Sequence, residues 1–283
     1  CNHGPSGLLA RCAVVTGMPT LEWVTHELMI DRTPLRVREA SRETHLSFDL
    51  SAGADSSGLV IWSASLVLAR WIALEPAITE GKIVYELGSG CGLGGLAAAA
   101  VGGAACVHLT DKDLAVLRNL EHNLELNSTA VRTPTGAPRL NVLEWSEDSS
   151  WPEAGCADLV MGADLVYDDD QYGSASLLAK MVRHLLKPGG SFVHLHPMSG
   201  RFGIADLPYA MSSAGLTLND ERYAPLSVTD DPTDASLRTA GSIPSHWYLN
   251  NEMVGKRYVL QRYSLPDSFQ VDQAMAPAFE PPL

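Results

Sequence analysis

Residues 83–95 read Ile-Val-Tyr-Glu-Leu-Gly-Ser-Gly-Cys-Gly-Leu-Gly-Gly, and this segment decides which fold the sequence predicts. It begins with a short apolar run typical of a buried strand, and its closely spaced glycines lead into a small-residue helix expected over Leu93–Val101. A strand that turns into a helix through glycines brings backbone N–H groups close to a ligand. The segment therefore predicts a nucleotide-type cofactor site in an α/β domain.

The glycines fit two cofactor-binding patterns. Gly90, Gly92 and Gly95 match the GxGxxG loop of dinucleotide-binding proteins, whereas the stretch from Glu86 to Gly92 matches the acidic-GxGxG loop of enzymes that use S-adenosylmethionine. A carboxylate is unfavourable beside an anionic pyrophosphate, but the ammonium and sulfonium groups of S-adenosylmethionine favour one. We therefore favour S-adenosylmethionine and keep an NAD-dependent oxidoreductase as the alternative.

Strand and helix patterns alternate after this loop, which predicts a parallel sheet with helices on both faces. We expect Val254–Tyr263 to add an antiparallel strand at the end. Short strands at Leu35–Arg38 and Leu46–Leu50 are expected to precede a helix over Gly58–Leu74. The remaining predicted elements, in chain order, are Ile83–Leu87, Leu93–Val101, Cys106–Thr110, Leu114–Leu126, Leu140–Leu143, Leu159–Gly162, Gln171–Leu186 and Ser191–His196.

Polar side chains follow two of these strands. Asp111 ends the strand after the glycine loop, where a carboxylate can accept hydrogen bonds from ribose hydroxyls; a helix N-cap is its alternative role. Asp164 and Tyr167 follow an apolar run, so a carboxylate and a phenol come to the sheet edge at which α/β proteins bind ligands. Their structural alternative is a helix cap and a packing tyrosine.

These motifs resemble those of the seven-β-strand protein-lysine methyltransferases, the methyltransferase-like "family 16" group. The resemblance extends from about residue 34 to about residue 200. Ser146 departs from the glycine that the family often has there, and Gly200–Gly255 matches no part of the pattern. The five matching stretches are Gly58-Leu-Val-Ile-Trp62, Glu86–Gly92, Thr110-Asp111, Leu143-Glu144-Trp145 and Gly162-Ala163-Asp164-Leu-Val-Tyr167.

The resemblance implies an α/β, Rossmann-like seven-stranded methyltransferase fold. Its sheet would be mostly parallel, with an antiparallel C-terminal strand and an N-terminal extension of a β-hairpin and a helix. It also implies S-adenosylmethionine as the cofactor and Asp164 and Tyr167 as catalytic residues that shape the channel of an acceptor lysine. The residues that it implies around the cofactor are Trp62, Glu86, Gly88, Ser89, Gly90, Asp111, Trp145 and Ala163.

The implied roles differ along the cofactor. Glu86 would lie near the ammonium group, Asp111 would hold the ribose, and Trp145 would lie near the adenine. Trp62 would close the cofactor side. The function that follows is S-adenosylmethionine-dependent N-methylation of lysine on a non-histone protein. A small-molecule methyltransferase and a non-catalytic binding module remain alternatives.

Composition restricts the partners. The 283 residues include 20 Lys and Arg against 33 Asp and Glu, a net charge of −13, which argues against phosphate-neutralising binding of nucleic acid. Leu96–Leu109, the longest weakly polar stretch, is shorter than the roughly 20 residues that span a membrane. The five cysteines lack a CxxC pair, which favours a reducing compartment over disulfides or zinc. We expect a cytoplasmic monomer without nucleic-acid or membrane partners, with the nucleus as the alternative location.

Two other side-chain groups suit structural roles. His194 and His196 share one face of a strand and could begin a metal site, but we interpret them as ordinary strand histidines and expect no metal. Asp168–Asp170 is interpreted as a run of acids before a helix N-terminus.

The predicted domain organisation has three parts. We expect a flexible segment over residues 1–33, a methyltransferase domain over 34–264 and a disordered tail over 265–283. Since the sequence starts at Cys1, we expect a fragment or a processed chain.

Overall fold

The computed structural model describes residues 21–41, 57–146, 148–167, 173–198, 200–224 and 257–267, which form a mixed α/β structure. The strands are β1 (Trp23–Ile30), β2 (Thr33–Ala40), β3 (Ile83–Glu86), β4 (Cys106–Asp111), β5 (Arg139–Val142), β6 (Ala157–Ala163), β7 (Leu186–Pro197), β8 (Thr217–Tyr223) and β9 (Tyr258–Ser264). The helices are α1 (Ser63–Leu74), α2 (Leu93–Ala100), α3 (Leu114–Leu126), α4 (Ser174–Leu185) and α5 (Leu207–Ser213).

Seven strands form one sheet in the order β5-β4-β3-β6-β7-β9-β8. The neighbouring pairs from β5 to β7 are parallel, whereas β9 runs antiparallel to both β7 and β8. The first two strands form a separate antiparallel hairpin. The predicted Rossmann-like fold, mostly parallel with an antiparallel C-terminal strand, is thereby confirmed.

Each face of the sheet has its own hydrophobic core. Successive residues of a strand alternate between the two, as the pleat requires: Val84 packs into the first core and Tyr85 into the second. The first core contains the buried faces of α1, α2 and α3 with those of the hairpin, and the second contains those of α4 and α5. The helices are therefore divided between the two faces, as the alternation of elements predicts.

Three asparagines of α3 hold the hairpin against this helix. Asn119, Asn123 and Asn127 are spaced one helical turn apart, and all three are buried. The amide of Asn127 pairs with both backbone groups of Arg36, at 2.8 Å to its N–H and 2.6 Å to its carbonyl. Asn123 does the same with Arg38, at 2.8 and 3.2 Å. The row of side-chain amides thus acts as a neighbouring strand would, satisfying the outer edge of β2.

The hairpin differs from the prediction in its first strand. β2 contains the predicted strand Leu35–Arg38, but its partner is β1, which precedes it. The predicted partner, Leu46–Leu50, lies outside the described residues. β1 also falls inside the segment 1–33 that we expected to be flexible, so this expectation is wrong for Trp23–Ile30.

The helix expected over Gly58–Leu74 is shorter than predicted. A 3-10 turn occupies Ser57–Leu59, and α1 begins at Ser63 after Trp62, its N-cap. By contrast, the helix predicted over Leu114–Leu126 has these bounds in the structure.

Two other differences concern the second half of the chain. β8 lies in the stretch that matched no pattern, and β7 begins at Leu186, directly after α4, whereas the predicted strand was Ser191–His196. Asp168–Asp170 and the predicted tail beyond residue 267 lie outside the described residues. Within the ranges given above, every helix is too short or too polar to cross a bilayer.

Candidate functional site

A cavity of about 600 Å³ lies at the edge of the sheet where β3, β4 and β6 end. Because parallel strands end at a common edge, residues that follow them in distant parts of the sequence meet there. Every site residue that the sequence predicts lines this cavity. These residues are Trp62, Glu86, Gly88, Ser89, Gly90, Asp111, Trp145, Ala163, Asp164 and Tyr167.

The glycine loop has a conformation that side chains would disturb. Gly88 and Gly90 both have a φ of +53°, in the left-handed region that favours glycine. A Cβ atom on Gly90 would lie 3.3 Å from the carbonyl oxygen of Gly58, and one on Gly88 would lie 3.0 Å from Leu165. The bare backbone of the loop therefore remains open to the cavity.

Glu86 connects the loop to the first turn of α2. Its side chain is buried, and its Oε2 accepts a hydrogen bond from Gly95 N–H at 3.0 Å. Burial raises the pKa of this carboxyl group to about 8, although the N–H groups of the helix start oppose the shift. Glu86 therefore has an internal partner as well as a place in the cavity wall.

Asp111 faces the loop from the end of β4. Its Oδ2 accepts from Gly90 N–H at 3.2 Å and its Oδ1 from Asp113 N–H at 3.1 Å. Burial raises the pKa of its carboxyl group, and these two hydrogen bonds lower it in part. The N-cap of α3 is Asp113, which accepts from Ala115 N–H at 2.6 Å, so the alternative role of Asp111 as that cap is wrong.

The two tryptophans of the cavity wall come from two different loops. Trp62 precedes α1, and its indole N–H donates to the carbonyl of Ser57 at 2.9 Å, which fixes the ring. Trp145 lies on the loop after β5 and packs at the margin of the second core. The cavity thus has an aromatic side chain at both of these positions.

Asp164 and Tyr167 lie on the segment that follows β6. Asp164 is buried and takes a φ of +59°, which is rare for a residue other than glycine. Tyr167 is 47% exposed, so its ring is accessible from solvent. The N-cap of α4 is Gly173, so the alternative role of Asp164 as the cap of the next helix is wrong.

Arg201 binds Asp164 through both carboxylate oxygens. Its Nε donates to Oδ1 at 2.6 Å, and its Nη2 makes a second short contact with Oδ2. Its Cζ also lies 5.9 Å from the centre of the Trp62 ring, within the range of a cation–π contact. No sequence motif indicated this arginine, because it follows β7 and is brought to Asp164 only by the fold.

A family model for lysine methyltransferases matches residues 40–199, more than half of the 283 residues. The chain belongs to the lysine methyltransferase family. Over 189 residues it is 31% identical to the protein-lysine N-methyltransferase EEF2KMT of Mus musculus, covering 58% of this chain and 56% of that protein. Over 144 residues it is 34% identical to EEF1A lysine methyltransferase 3 of Mus musculus, covering 50% and 57%. The chain thus spans about half the length of the curated relatives it matches.

A solved structure supports the fold of this lysine methyltransferase family member. A chain from the complex of the Haloferax volcanii Trm112 methyltransferase activator with a methyltransferase aligns with a TM-score of 0.52 at 16% identity. The alignment covers 76% of this chain and 96% of that one. At this identity, the likeness shows the fold alone.

Several residues that line the cavity of this lysine methyltransferase family member were not predicted from the sequence. Some of them, such as Gly58, Cys91 and Leu143, lie inside the five matching stretches without having been assigned a role, and the others lie outside these stretches. The residues not predicted are Ser57, Gly58, Val60, Ser65, Cys91, Lys112, Asp113, Val116, Leu143, Glu144, Ser146, Leu165, Ser174 and Leu177.

His194 and His196 lie on β7, and both are buried. His194 is fully buried, and its Nε2 lies 3.3 Å from Leu165 N–H. Burial lowers the pKa of both His194 and His196. In the part of the chain that the structure describes, metal-ligating side chains do not gather in groups of three or more.

Proposed function

We propose that this chain transfers the methyl group of S-adenosylmethionine to the side-chain amine of a lysine in another protein. The observation that carries the proposal is the meeting, in one cavity, of the glycine loop with Asp164 and Tyr167. Membership of the lysine methyltransferase family supports both the reaction and the type of acceptor.

The cavity suits the cofactor in its chemistry. The carboxyl groups of Glu86 and Asp111 complement a ligand that carries cationic and hydroxyl groups, and a cation beside Glu86 would favour its ionised form. Gly88 and Gly90 allow the close backbone approach that such a ligand needs. We propose that Asp111 holds the ribose and that the backbone of residues 88–90 lines the methionine part. When bound, S-adenosylmethionine supplies a methyl group activated by its positive sulfur.

The proposed cofactor site is completed by the two tryptophans, Glu86 and the end of β6. Trp145 would lie near the adenine, Trp62 would close the cofactor side, and Ala163 would contribute its backbone. Glu86 would face the ammonium group while it holds the start of α2.

The acceptor side is formed by Asp164 and Tyr167. We propose that they position the lysine nitrogen, which attacks only as a neutral amine. The exposed ring of Tyr167 suits the entry of an ammonium group through a cation–π contact. Methyl transfer then depends mainly on alignment and on the exclusion of water.

We also propose a reducing, cytoplasmic location and a monomeric enzyme. The location is supported by the cysteine pattern of the sequence, five cysteines without a CxxC pair, because disulfides are rare in reducing compartments. The net charge of −13 makes a basic segment of a protein a more suitable partner than nucleic acid.

The function is tested by incubating the chain with methyl-labelled S-adenosylmethionine and a cell extract. We expect a labelled protein band that yields methylated lysine on hydrolysis. Gly90→Arg should abolish the labelling because its side chain would fill the cofactor side of the cavity. Gly81→Arg is a matched control: its φ of +69° imposes similar strain, but a Cβ there has open space around it. Label on small molecules or nucleic acid, with none on protein, would contradict the proposed acceptor.

A further inference from the structure

The Asp164 carboxylate is not free to act alone, because Arg201 engages both of its oxygens. The side chains of the pair are only 6% and 18% exposed, so solvent screens the two charges weakly. A bidentate arginine–carboxylate pair has a fixed planar geometry. The aspartate thus has both a defined orientation and a neutralised charge.

The backbone of Asp164 is held in place by its neighbours. Asp164 has the left-handed φ of +59°, its N–H donates to the carbonyl of Leu195 at 2.8 Å, and the next N–H donates to His194. Such a conformation persists only where surrounding contacts hold it. The main chain of Asp164 is therefore held at the sheet edge, and Arg201 holds the carboxylate at the far end of the side chain.

The charge of this carboxylate matters for the reaction. A lysine enters from water as an ammonium ion and must lose its proton before its nitrogen lone pair can form the N–C bond, while the S–C bond of S-adenosylmethionine would break and S-adenosylhomocysteine would leave. An unpaired carboxylate within about 4–6 Å would favour the charged form and raise the pKa of the amine by about 1–3 units. A carboxylate already paired with arginine lacks this effect.

We propose that Arg201 is a positioning residue that holds Asp164 in place and cancels its charge, so that the acceptor lysine can lose its proton to solvent and react as a neutral amine. The inference rests on the proposed function and adds to it a residue outside the motifs of the glycine loop and of β6. Arg201 acts through Asp164 and is not itself assigned contact with the acceptor.

Other ionisable groups face the pair from neighbouring elements, and they stay unchanged in the variants. Those on the β7–β9–β8 side are His194, His196 and Glu221, and those lining the cavity are Glu86, Asp111, Lys112, Asp113, Glu144 and Tyr167. Because Asp164 raises and Arg201 lowers the pKa of His196, this histidine would follow the same pattern, so the variants are compared again with His196→Gln present in each, where the shift should persist.

The test is the pH dependence of single-turnover transfer of labelled methyl to the extract proteins, from about pH 6 to about pH 10. The rate of the parent should rise with pH to a plateau. Arg201→Gln should be at least about tenfold slower at neutral pH. The inflection of its curve of rate against pH should lie about 1–3 pH units higher than that of the parent. Asp164→Asn combined with Arg201→Gln should return the inflection to the parental pH. Arg201→Lys keeps a cation and should keep the parental inflection at a lower plateau.

Arg222→Gln is the matched control, because it removes an exposed arginine–carboxylate pair with Glu75, outside the cavity. It should leave rate and inflection unchanged. Affinity for S-adenosylhomocysteine, measured by calorimetry, should stay within a few-fold in all variants, and circular dichroism checks the fold. If Arg201→Gln does not fold, the inflections of Arg201→Lys and Asp164→Asn are compared. The inference expects the parental inflection in Arg201→Lys and a lower one in Asp164→Asn, where the charge of Arg201 is unpaired.

Three results would overturn the inference. One is a parental inflection in Arg201→Gln, and another is a displaced inflection that persists in the double variant. The third is a loss of S-adenosylhomocysteine affinity equal to the loss of rate, which would assign Arg201 to the cofactor side through Trp62. A parent that transfers methyl to no protein at any pH would instead overturn the proposed function, and the inference with it.

Discussion

Glu86 shows how one buried side chain can serve the fold and the site together. Its carboxyl group binds the start of α2 and also lines the cavity. A Cβ on Gly94 would lie 2.4 Å from its Oε1, so this close helix start requires a residue without a side chain. In the sequence pattern, the charge of a ligand explains an acidic residue at Glu86. The structure adds an internal reason for a carboxyl group at this position.

We predict that Glu86 makes the stability of the protein depend on pH. Its pKa is about 8 in the folded chain against an ordinary 4.5, so the folded chain keeps a proton that the unfolded chain releases. The contribution is fully present below about pH 4.5 and is lost as the pH rises to about 8. Relative to Glu86→Gln, the parent should lose up to about 1.4 kcal/mol of unfolding free energy per pH unit across this window. Urea unfolding at several pH values measures it, and parallel curves for the two proteins would refute it.

We predict that Asp164 and Tyr167 act in turnover more than in cofactor binding. Asp164→Ala and Tyr167→Ala should each lower single-turnover methyl transfer by about 10², the usual effect of losing a positioned contact. Cofactor affinity should stay within a few-fold, since interactions made mainly in the transition state are lost from kcat. Calorimetry with S-adenosylhomocysteine provides the comparison. Near-parental rates in both variants would move the acceptor site elsewhere.

At the scale of elements, the helices were easier to predict than the edge strands. α3 has leucines at helical spacing and an aspartate cap, so its own residues define both its period and its start. β8 is almost entirely exposed, so its sequence carries no alternation of apolar and polar residues. It is a strand because it pairs with β9, and a single segment cannot reveal that.

β1 was missed for a different reason. Its inward positions are occupied by His26, Leu28 and Ile30, and the histidine interrupts the apolar pattern. In the structure His26 is fully buried and pairs with Glu39 at 2.9 Å. The other oxygen of Glu39 accepts from Ile61 N–H at 2.7 Å, next to Trp62. The hairpin therefore supports the segment that carries a proposed cofactor residue.

We predict that the asparagine row contributes substantially to stability. Asn123→Ala would remove the partner of Arg38 N–H and of the Cys91 carbonyl, which costs about 1–3 kcal/mol for each buried group left unsatisfied, whereas the Arg38 carbonyl keeps Asn119 at 3.0 Å. Glu121→Ala, at an exposed position of the same helix, is the control and should change stability by less than about 0.5 kcal/mol. Chemical denaturation compares the two. Equal stabilities would mean that water replaces the amide without loss.

At the scale of the whole molecule, the topology made the site predictable. Ten residues from five separate stretches were named from sequence, and all line one cavity because parallel strands end at one edge. Arg201 could not be found in this way. Its partner is 37 residues away, and their contact depends on the course of the loop after β7.

We predict that the folded chain is stabilised by S-adenosylmethionine and S-adenosylhomocysteine but not by NAD. At about 100 times its dissociation constant, a ligand adds about 2.7 kcal/mol to the free energy of unfolding. A thermal-shift experiment with the three compounds measures this, and Gly90→Arg should abolish the response to the first two. Stabilisation by NAD alone would favour the dinucleotide interpretation of the glycine loop.

The order of the sheet differs from the order in which the ribosome makes its strands. Among the described strands β9 is made last, yet it lies between β7 and β8 and joins them to each other. Until Tyr258–Ser264 leaves the exit tunnel, the edge of β7 is unpaired and β8 has no place in the sheet. An open strand edge is a template for association with another chain. A translation product that stops before Tyr258 would keep its glycine loop but expose this edge, so a premature stop so near the end of the described chain should lead to aggregation or degradation.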